Sequence, residues 1–304
     1  MSISVYLRRF LTDPKIRFGY LAKAGFYNRL SDEEFIRRRY RLFFGREPDL
    51  DNPRTYTEKV QWLKLHEKNP SYAALVDKYE VKAFVRQALG EEHVVPAYGV
   101  YDCFDDIDFE SLPQQFALKC THNSGGEVLV RDRKNLDLAA ARQKISACLK
   151  VNYYYTGREY PYKEVKPRIL AEKLLLPADG SEPRDYKVHV FNGKAALIQV
   201  DSGRHSGAHV KNFYKPDWTY IPVSNGVPSD PALPAPNLSC TDELLALSEK
   251  LTKAVGNPPV LRTDFYVVDG QIYFGEITFF HGSGFDPFDP PEYDRKFGDM
   301  IRLR

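Results

Sequence analysis

The spacing of apolar residues is helical in the first third of the chain and in two later segments. The predicted helices cover residues 56–66, 72–89, 135–151 and 241–255. A further helix is predicted to begin near Ser31, because Glu34 completes a capping box with it. Gly90 is the expected end of the helix over 72–89. Residues 1–70 are predicted to form a helical, basic extension.

Strand-like patterns occupy the remaining segments. The predicted strand segments are the hairpins 185–201 and 260–280 and the stretches 93–101, 115–132 and 168–176. The dipeptides Asn192-Gly193 and Asp269-Gly270 are typical of two-residue hairpin turns. The Pro- and Ser-rich stretch 215–239 is predicted to be a long loop. This order of elements predicts an α+β protein with two sheets, not one parallel sheet.

Composition excludes some classes of protein. A net charge of +2 is too small to indicate a nucleic-acid-binding protein, so no nucleic acid is expected as a partner. The four cysteines lack the spacing of zinc or redox motifs and are expected to be free thiols. The start does not resemble a signal peptide, and no run approaches the roughly 20 apolar residues that span a bilayer. A cytoplasmic protein is therefore expected.

Four arginines cluster in the helix that follows Ser31. They are Arg37, Arg38, Arg39 and Arg41. The cluster has two interpretations: a solvated helix face, which is the commoner outcome, or a docking surface for anionic lipid or polyanionic glycan. The second interpretation leaves open a peripheral association with the inner face of the membrane or with a polysaccharide-assembly machinery.

The second predicted hairpin carries a candidate metal site. Arg262 and Asp264 are two residues apart on one strand, so their side chains leave the same face. A turn at Asp269-Gly270 brings Asp264 close to Glu276, and two facing carboxylates repel each other unless a cation lies between them. Mg²⁺ suits such a pair, because it takes oxygen ligands from carboxylates, phosphates and water. The alternative is an exposed hairpin with a wet polar face, against which the apolar neighbours argue.

Two further segments have features of a nucleotide site. Lys119 ends a buried strand and precedes a loop with Gly125-Gly126, where backbone N–H groups can approach phosphate oxygens. A plain Gly-Gly hairpin turn is the commoner explanation of this loop. Glu172 and Lys173 interrupt an apolar strand, which is costly unless they meet partners such as adenine. The alternative is an edge strand with the two side chains on opposite faces.

In this order, the elements resemble the ATP-grasp superfamily, and at finer grain its TupA-like branch. The resemblance runs from about Tyr56 to the C-terminus and rests on the motifs DKYEVKAFV, ALKCTHNSGG, KPRILAEKLL, DYKVHVFNGK, NFYKPDW and YFGEITFFHGSGF. It implies an ATP-grasp fold in which two α+β subdomains hold ATP between two sheets. The implied divisions are a helical N-terminal extension (1–70), a pre-ATP-grasp segment (71–115), a small flap subdomain (116–176) and a C-terminal subdomain with the metal site (177–304).

The resemblance also implies roles for individual residues. The implied ATP-binding residues are Lys78, Lys119, His122, Ser124, Gly125, Gly126, Glu172, Lys173 and Leu175. The implied magnesium ligands are Asp264, Glu276 and Thr278, where a hydroxyl replaces the usual asparagine. Arg262 is implied to be catalytic. Lys187 is expected to be catalytic if its strand faces the cleft, although a surface lysine explains it equally well. The expected substrate residues are Arg204, Lys211, His281, Ser283 and Gly284, with plain solvation as the alternative for Arg204 and Lys211.

The implied activity is an ATP- and Mg²⁺-dependent carboxylate–amine ligase that forms an amide through an acyl phosphate. Its expected partners are an amino acid or other amine and a uronic-acid-containing glycan or nucleotide sugar, in capsular or other surface polysaccharide biosynthesis. Two alternatives stay open. One is a kinase of the same fold that phosphorylates a glycan or small hydroxylated substrate, and the other is a non-catalytic nucleotide-binding scaffold. The oligomeric state is not indicated.

Overall fold

The computed structural model describes residues 10–180, 183–203, 209–236 and 238–304. The α-helices in this part of the chain are α1 Pro14–Lys23, α2 Asp32–Phe44, α3 Tyr56–His66, α4 Tyr72–Val76, α5 Glu80–Ala88, α6 Leu138–Leu149, α7 Tyr154–Gly157, α8 Thr241–Ala254 and α9 Glu292–Asp299. The strands are β1 Ala97–Tyr101, β2 Phe116–Cys120, β3 Val128–Val130, β4 Ile169–Lys173, β5 Arg184–Phe191, β6 Lys194–Ser202, β7 Val210–Tyr214, β8 Tyr220–Ile221, β9 Ser224–Asn225, β10 Val260–Val268, β11 Gln271–Thr278 and β12 Phe288–Asp289. Among the helices of these ranges, none has the length and apolar character needed to cross a bilayer.

Two antiparallel sheets form the scaffold. The small sheet has the strand order β1-β4-β2-β3, and the large sheet has the order β11-β10-β5-β6-β7-β8. The predicted α+β class is confirmed, and β9 and β12 form a small two-stranded sheet beside the two main ones. Strand β4 lies between two neighbours, so the edge-strand interpretation of Glu172 and Lys173 is wrong. The small sheet also includes β1, a strand from the predicted pre-ATP-grasp segment.

The large sheet contains both predicted hairpins. Asn192 and Asp269 have positive φ angles of 49° and 51°, and each precedes a glycine with positive φ, as a primed two-residue turn requires. Strands β5 and β6 therefore pair across the first turn, and β10 and β11 pair across the second. The stretch 215–239 is not a plain loop, because the short strands β8 and β9 lie within it. The prediction of an uninterrupted loop is corrected on this point.

The N-terminal helices begin where the capping signals predict. The hydroxyl of Ser31 accepts the backbone N–H of Glu34, and the Glu34 carboxylate accepts the backbone N–H of Ser31. This capping box is confirmed, and α3 has the predicted bounds. The four cysteines are free thiols, as expected.

The predicted helix over 72–89 is instead two helices, α4 and α5. The backbone of Asp77 is extended, and its carboxylate accepts the N–H groups of Tyr79 and Glu80 at the start of α5. The backbone N–H of Lys78 donates to the carbonyl of Thr121, 3.0 Å away in the loop after β2. A tertiary hydrogen bond therefore overrides the local helical pattern and brings Lys78 to the small sheet.

The arginine cluster in α2 does not form one exposed basic face. Arg37 pairs with Glu33 one turn away, and Arg41 pairs with Glu47. Arg39 packs over the ring of Phe285 at 4.2 Å and donates to the backbone of α7. These contacts do not support a docking surface built from all four arginines, and they attach α2 to the body of the protein.

Candidate functional site

A cleft of about 760 Å³ lies between the two sheets. The predicted site residues that line it are Lys78, Lys119, Ser124, Glu172, Lys173, Leu175, Lys187, Lys211, Arg262, Asp264, Glu276, Thr278, His281 and Ser283. A more open depression of about 880 Å³ beside the small sheet contains only Lys173 of the predicted set. The cleft, rather than this depression, is therefore the candidate functional site.

Some predicted residues do not line the cleft. These are His122, Gly125, Gly126 and Gly284, while Arg204 lies outside the described residues. The ring of His122 is buried and contacts the amide of its neighbour Asn123 at 3.2 Å. A Cβ on Gly284 would lie 2.5 Å from Nε2 of Gln61, so this glycine permits close packing against α3. These positions do not support direct contacts of His122 with ATP or of Gly284 with substrate.

The loop after β2 is shaped by glycine and held by Lys78. Gly125 and Gly126 have φ angles of 100° and 74°, which strain any other residue. A Cβ on Gly126 would also collide with the thiol of Cys148. The ammonium group of Lys78 donates to the carbonyl of Asn123 at 2.5 Å. The ammonium group of Lys78, which lies at the break between α4 and α5, is therefore at the base of the Gly-Gly loop.

Glu172 joins two lysines inside the cleft. Its carboxylate lies 2.7 Å from Nζ of Lys119 on β2 and 2.7 Å from Nζ of Lys82 on α5. Burial would raise the pKa of Glu172, but the two ammonium groups lower it below its ordinary value. The same carboxylate raises the pKa of Lys119, against the effect of burial. Glu172 and Lys119 are therefore charged at neutral pH, and Glu172 holds Lys119 in position.

The second hairpin gathers charges of both signs. Asp264 and Glu276 are directly paired across β10 and β11, as the sequence predicts. Arg262 contacts Asp264 at 2.6 Å and Glu276 at 2.8 Å, and these two carboxylates offset the cost of burying its charge. Lys187, opposite Asp264 on β5, donates to it at 2.8 Å. Lys187 is buried, so the alternative of a surface lysine is wrong.

The oxygen atoms at this hairpin fit a magnesium ion. The hydroxyl of Thr278 lies 3.4 Å from Glu276 Oε1, on the same side of the strand. Asp185 also lines the cleft, and its buried Oδ1 has no hydrogen-bond partner in the described structure. Among the described residues, no three His, Cys, Asp or Glu side chains are grouped closely enough to hold a metal ion on their own. The set suits Mg²⁺ that takes its other ligands from phosphates and water.

The opposite end of the cleft contains the predicted substrate residues. Lys211 is buried and donates to the carbonyl of Asn225 at 2.8 Å. Burial lowers the pKa of Lys211, while the carboxylates of Asp286 and Asp201 act in the other direction. The ring of His281 meets that of His189 edge-on at 4.8 Å. This end of the cleft therefore combines the ammonium group of Lys211 with the ring of His281 and the carboxylates of Asp201 and Asp286.

The sequence match extends over the whole described cleft. Residues 58–302 match the family described as TupA-like ATPgrasp. The chain belongs to this family. The match begins within α3 and ends beyond α9, so both sheets of this TupA-like ATP-grasp protein lie inside it. The predicted family and the ATP-grasp fold are confirmed.

Solved structures similar to this TupA-like protein include ATP-grasp ligases. D-alanine–D-alanine ligase from Bacillus anthracis complexed with ATP has 18% identity and a TM-score of 0.41, covering 75% of this chain and 63% of that chain. The ADP complex of purK, N5-carboxyaminoimidazole ribonucleotide synthetase, has 14% identity and a TM-score of 0.44, covering 73% and 50%. The ATP-grasp ligase PsnB with a phosphomimetic variant of its minimal precursor, Mg and ADP has 13% identity and a TM-score of 0.41, covering 73% and 57%. The chain thus spans between 50% and 63% of the length of these structures. No curated protein matches it.

Sequence reasoning missed several residues of the cleft wall. They are Lys82, Tyr153, Glu159, Tyr162, Asp185 and Asp201. Asp185 precedes Lys187 by two residues on the same strand, so strand spacing would have found it. Asp201 is paired with Asp185 across β5 and β6. Glu159 lies in a segment without regular spacing and gives no such signal.

The buried imidazole of His189 predicts that the TupA-like protein loses stability in mild acid. Burial, followed by the charge of Arg262, lowers the pKa of His189 to about 3. Between that pKa and the unfolded value of about 6.5, only the unfolded chain binds the proton. The free energy of unfolding is therefore highest above pH 6.5 and is lower by about 2 kcal/mol at pH 5.

Urea denaturation at pH 7 and pH 5 measures this loss. His189→Gln is expected to show a smaller loss between the two pH values than the wild type. His66→Gln, which alters an exposed imidazole, is the matched control and is expected to keep the wild-type loss. Equal pH dependence in wild type and His189→Gln would contradict the prediction.

Proposed function

We propose that this protein is an ADP-forming ligase that joins a carboxylate to an amine. The observation that carries the proposal is the pairing of Asp264 with Glu276, both held by Arg262, in the cleft that also contains Lys119 and Glu172. The cleft therefore contains carboxylates that can bind a metal and cations that can bind phosphates. It also contains a strand with polar side chains that can bind the nucleotide base. This combination suits transfer of a phosphoryl group from ATP.

The nucleotide is proposed to bind along the small sheet. Adenine and ribose lie near Glu172, Lys173 and Leu175, on the central strand β4. Lys78 and Lys119 face the triphosphate as point charges. The loop with Ser124, Gly125 and Gly126 covers the phosphates with its backbone N–H groups. In this arrangement Glu172 acts mainly by holding Lys119, its ion-pair partner.

The metal is proposed to bind at the second hairpin. Asp264, Glu276 and Thr278 are the expected ligands, and the unpartnered Oδ1 of Asp185 is a further donor. Bound Mg²⁺ supplies neutralisation of phosphate charge. Arg262, which contacts both Asp264 and Glu276, is positioned to stabilise charge on the transferring phosphoryl group.

The residues act mainly by positioning and by charge neutralisation. A carboxylate resists attack by an amine because it is resonance-stabilised and negatively charged, whereas an acyl phosphate has a good leaving group. Lys187 and Arg262 hold the anionic groups at one place, which favours formation of that acyl phosphate. Closure of the Gly-Gly loop excludes water that would hydrolyse it.

The substrates are proposed to be an amino acid or other amine and a uronic-acid-containing glycan or nucleotide sugar. Lys211, His281 and Ser283 line the end of the cleft that would receive them, and Arg204 remains an expected contact. We assign the product to capsular or other surface polysaccharide biosynthesis. The reaction would take place in the cytoplasm, where ATP is available, and a peripheral attachment to the membrane stays part of this proposal.

Trapping with hydroxylamine tests the proposed reaction. Glucuronic and galacturonic acid are each incubated with ATP, Mg²⁺ and hydroxylamine, and hydroxamate and ADP are measured. We expect both products in equal amounts, because hydroxylamine attacks an acyl phosphate. Glu276→Ala, with an unchanged circular dichroism spectrum, is expected to form neither.

The other outcomes identify the alternatives. A stable phosphorylated sugar without hydroxamate would indicate a kinase, because a phosphate ester of a hydroxyl group does not react with hydroxylamine. Binding of ATP without ADP release in the presence of any acid and amine would indicate a non-catalytic scaffold. Either result would overturn the ligase proposal.

A further inference from the structure

The wall of the cleft contains a carboxylate that the proposed ATP and metal roles do not use. Glu159 follows α7 and is only 3% exposed, yet it lines the cleft together with Tyr153 and Tyr162. The rings of these two tyrosines meet edge-on at 4.9 Å. A carboxylate beside two aromatic rings is a typical environment for an ammonium group, because both attract a cation.

The segment that presents Glu159 is held rigidly. Arg158 has a left-handed backbone with φ of 59°, and its guanidinium donates to the carbonyl of Tyr27 at 2.6 Å. A Cβ on Gly157 would collide with the hydroxyl of Ser283 and lie 3.0 Å from Oε1 of Glu159. A non-glycine residue in this conformation is strained, and such strain persists where the surroundings over-determine the backbone. The position of the Glu159 carboxylate is therefore built into the fold.

The cations nearest to Glu159 are engaged by other groups in the described structure. Lys64 is fully buried, and its ammonium donates to Gln61 Oε1 and to the backbone carbonyl of Ser283. Arg39 donates to the carbonyl of Thr156 at 2.5 Å. Arg262 contacts Asp264 and Glu276, as described above. These cations therefore stabilise the negative charge of Glu159 from a distance. The side of its carboxylate that faces the cleft remains accessible to a ligand.

The tyrosines connect Glu159 to the metal end of the cleft. Burial raises the pKa of Tyr153, and the negative charges of Glu159 and Glu276 raise it further. The pKa of Tyr162 is raised by burial and by the same two carboxylates. Both phenols therefore stay protonated at neutral pH, and both lie within the electrostatic range of Glu159 and Glu276. Glu159 lines the same cleft as Arg262 and Glu276, so a group held by Glu159 would share that space with the proposed site of phosphoryl transfer.

We infer that Glu159, with Tyr153 and Tyr162, binds the ammonium group of the acceptor amine and takes its first proton. This inference rests on the proposed ligase function and names the binding site of one substrate class, a primary amine such as that of an amino acid. Burial raises the pKa of Glu159 to about 7, against the effects of Lys64 and of a hydrogen bond from Ser283. A carboxylate with that pKa accepts a proton near neutral pH.

The proton transfers and bond changes balance in two steps. The ammonium group gives one proton to the Glu159 carboxylate and becomes a neutral amine. The nitrogen lone pair then forms the N–C bond to the acyl phosphate as the C–O bond to phosphate breaks. The phosphate leaves with that electron pair and takes the second proton from the nitrogen. The products are the amide and hydrogen phosphate, and Glu159 returns its proton to solvent.

The variant Glu159→Gln tests this inference, because glutamine keeps the shape and hydrogen bond of the side chain and loses its charge. Each of the twenty common amino acids is first assayed with glucuronic and galacturonic acid to find the amine that the wild type uses. In Glu159→Gln, kcat/KM for that amine and the rate of hydroxamate formation with hydroxylamine are both measured relative to wild type. We expect the fold-loss in kcat/KM to be about 100 times the fold-loss in hydroxamate formation. Hydroxylamine is uncharged at neutral pH and needs neither an anionic site nor a proton acceptor.

Three further measurements distinguish this role from a purely structural one. The KM for ATP is expected to stay within about two-fold of wild type, and Glu159→Asp is expected to recover part of the lost kcat/KM. The loss in Glu159→Gln is expected to narrow at alkaline pH, where the amine is already neutral. Glu164→Gln, which changes an exposed glutamate five residues away, is the matched control and is expected to behave as wild type.

The outcomes separate failure of this inference from failure of the proposed function. Equal losses of amide and hydroxamate formation in Glu159→Gln would overturn the inference while leaving the ligase intact. A lower unfolding temperature of Glu159→Gln with an unchanged kcat/KM for the amine would also overturn the inference. Glu159 would then serve only as a distant counter-charge for Lys64. If the wild type forms no hydroxamate with either acid, the proposed function fails, and the inference fails with it.

Discussion

Replacing Asp264 with asparagine is expected to lower ADP release by about 1,000-fold. Asp264 is buried and accepts hydrogen bonds from both Arg262 and Lys187. Asparagine keeps the size of the side chain but removes the charge that orients these two cations and that would hold Mg²⁺. Arg262 would then be held by Glu276 alone, at the edge of the proposed site of phosphoryl transfer.

ADP release with glucuronic or galacturonic acid and hydroxylamine measures this effect, and a magnesium titration accompanies it. The concentration of Mg²⁺ at half-maximal rate is expected to rise in Asp264→Asn. Asp242→Asn, an exposed position in the first turn of α8, is the control for a general effect of removing an acid. Since a buried change can prevent folding, Glu276→Gln provides a second, more exposed test, with Glu276 at 37% side-chain exposure. ADP release within ten-fold of wild type in both folded variants would refute the assigned metal site.

Glu172→Gln is expected to destabilise the protein by about 3–5 kcal/mol. The Glu172 carboxylate is shared by the buried ammonium groups of Lys82 and Lys119, each at 2.7 Å. Removing its charge leaves two like charges close together without an anionic partner, and each repels the other. Lys119 would also lose its fixed position, so we expect weaker binding of ATP along with the lower stability.

Urea denaturation and ATP titration measure the two parts of this prediction. Lys173→Gln, the next residue along β4, has an exposed side chain and is expected to change stability by less than about 0.5 kcal/mol. Adding Lys82→Met to Glu172→Gln is expected to restore part of the stability, because one of the two unpaired charges is then gone. An unchanged free energy of unfolding in Glu172→Gln would show that water or other groups replace its carboxylate.

The sequence was most informative where structure is set by neighbouring residues. The turn Asp269-Gly270 places β10 beside β11, so the proximity of Asp264 and Glu276 could be predicted from spacing. An irregularity in the register between Asp264 and Phe265 then makes the two acids direct partners. The capping box of Ser31 and Glu34 is equally local. In both cases the interactions that decide the structure involve residues a few positions apart.

Long-range contacts decided the features that the sequence did not predict. The break at Asp77 depends on a hydrogen bond between Lys78 and the distant Thr121, and the apolar spacing around it is still helical. Lys82 has the spacing of an ordinary helix surface, and only the sheet position of Glu172 makes it a buried partner. The surroundings of Glu159 include Lys64, Ser283, Arg39 and Arg262, which come from four separate segments and which no local pattern reports.

The packing of α2 against the C-terminal part of the chain has a consequence for protein engineering. Ile36 and Tyr40 are fully buried with Phe285, directly after the loop that contains His281 and Ser283. A shortened protein that starts where the family match starts would lose this aromatic support. The proposed substrate end of the cleft would be expected to loosen, so versions made for crystallisation or fusion should keep the helix beginning at Asp32.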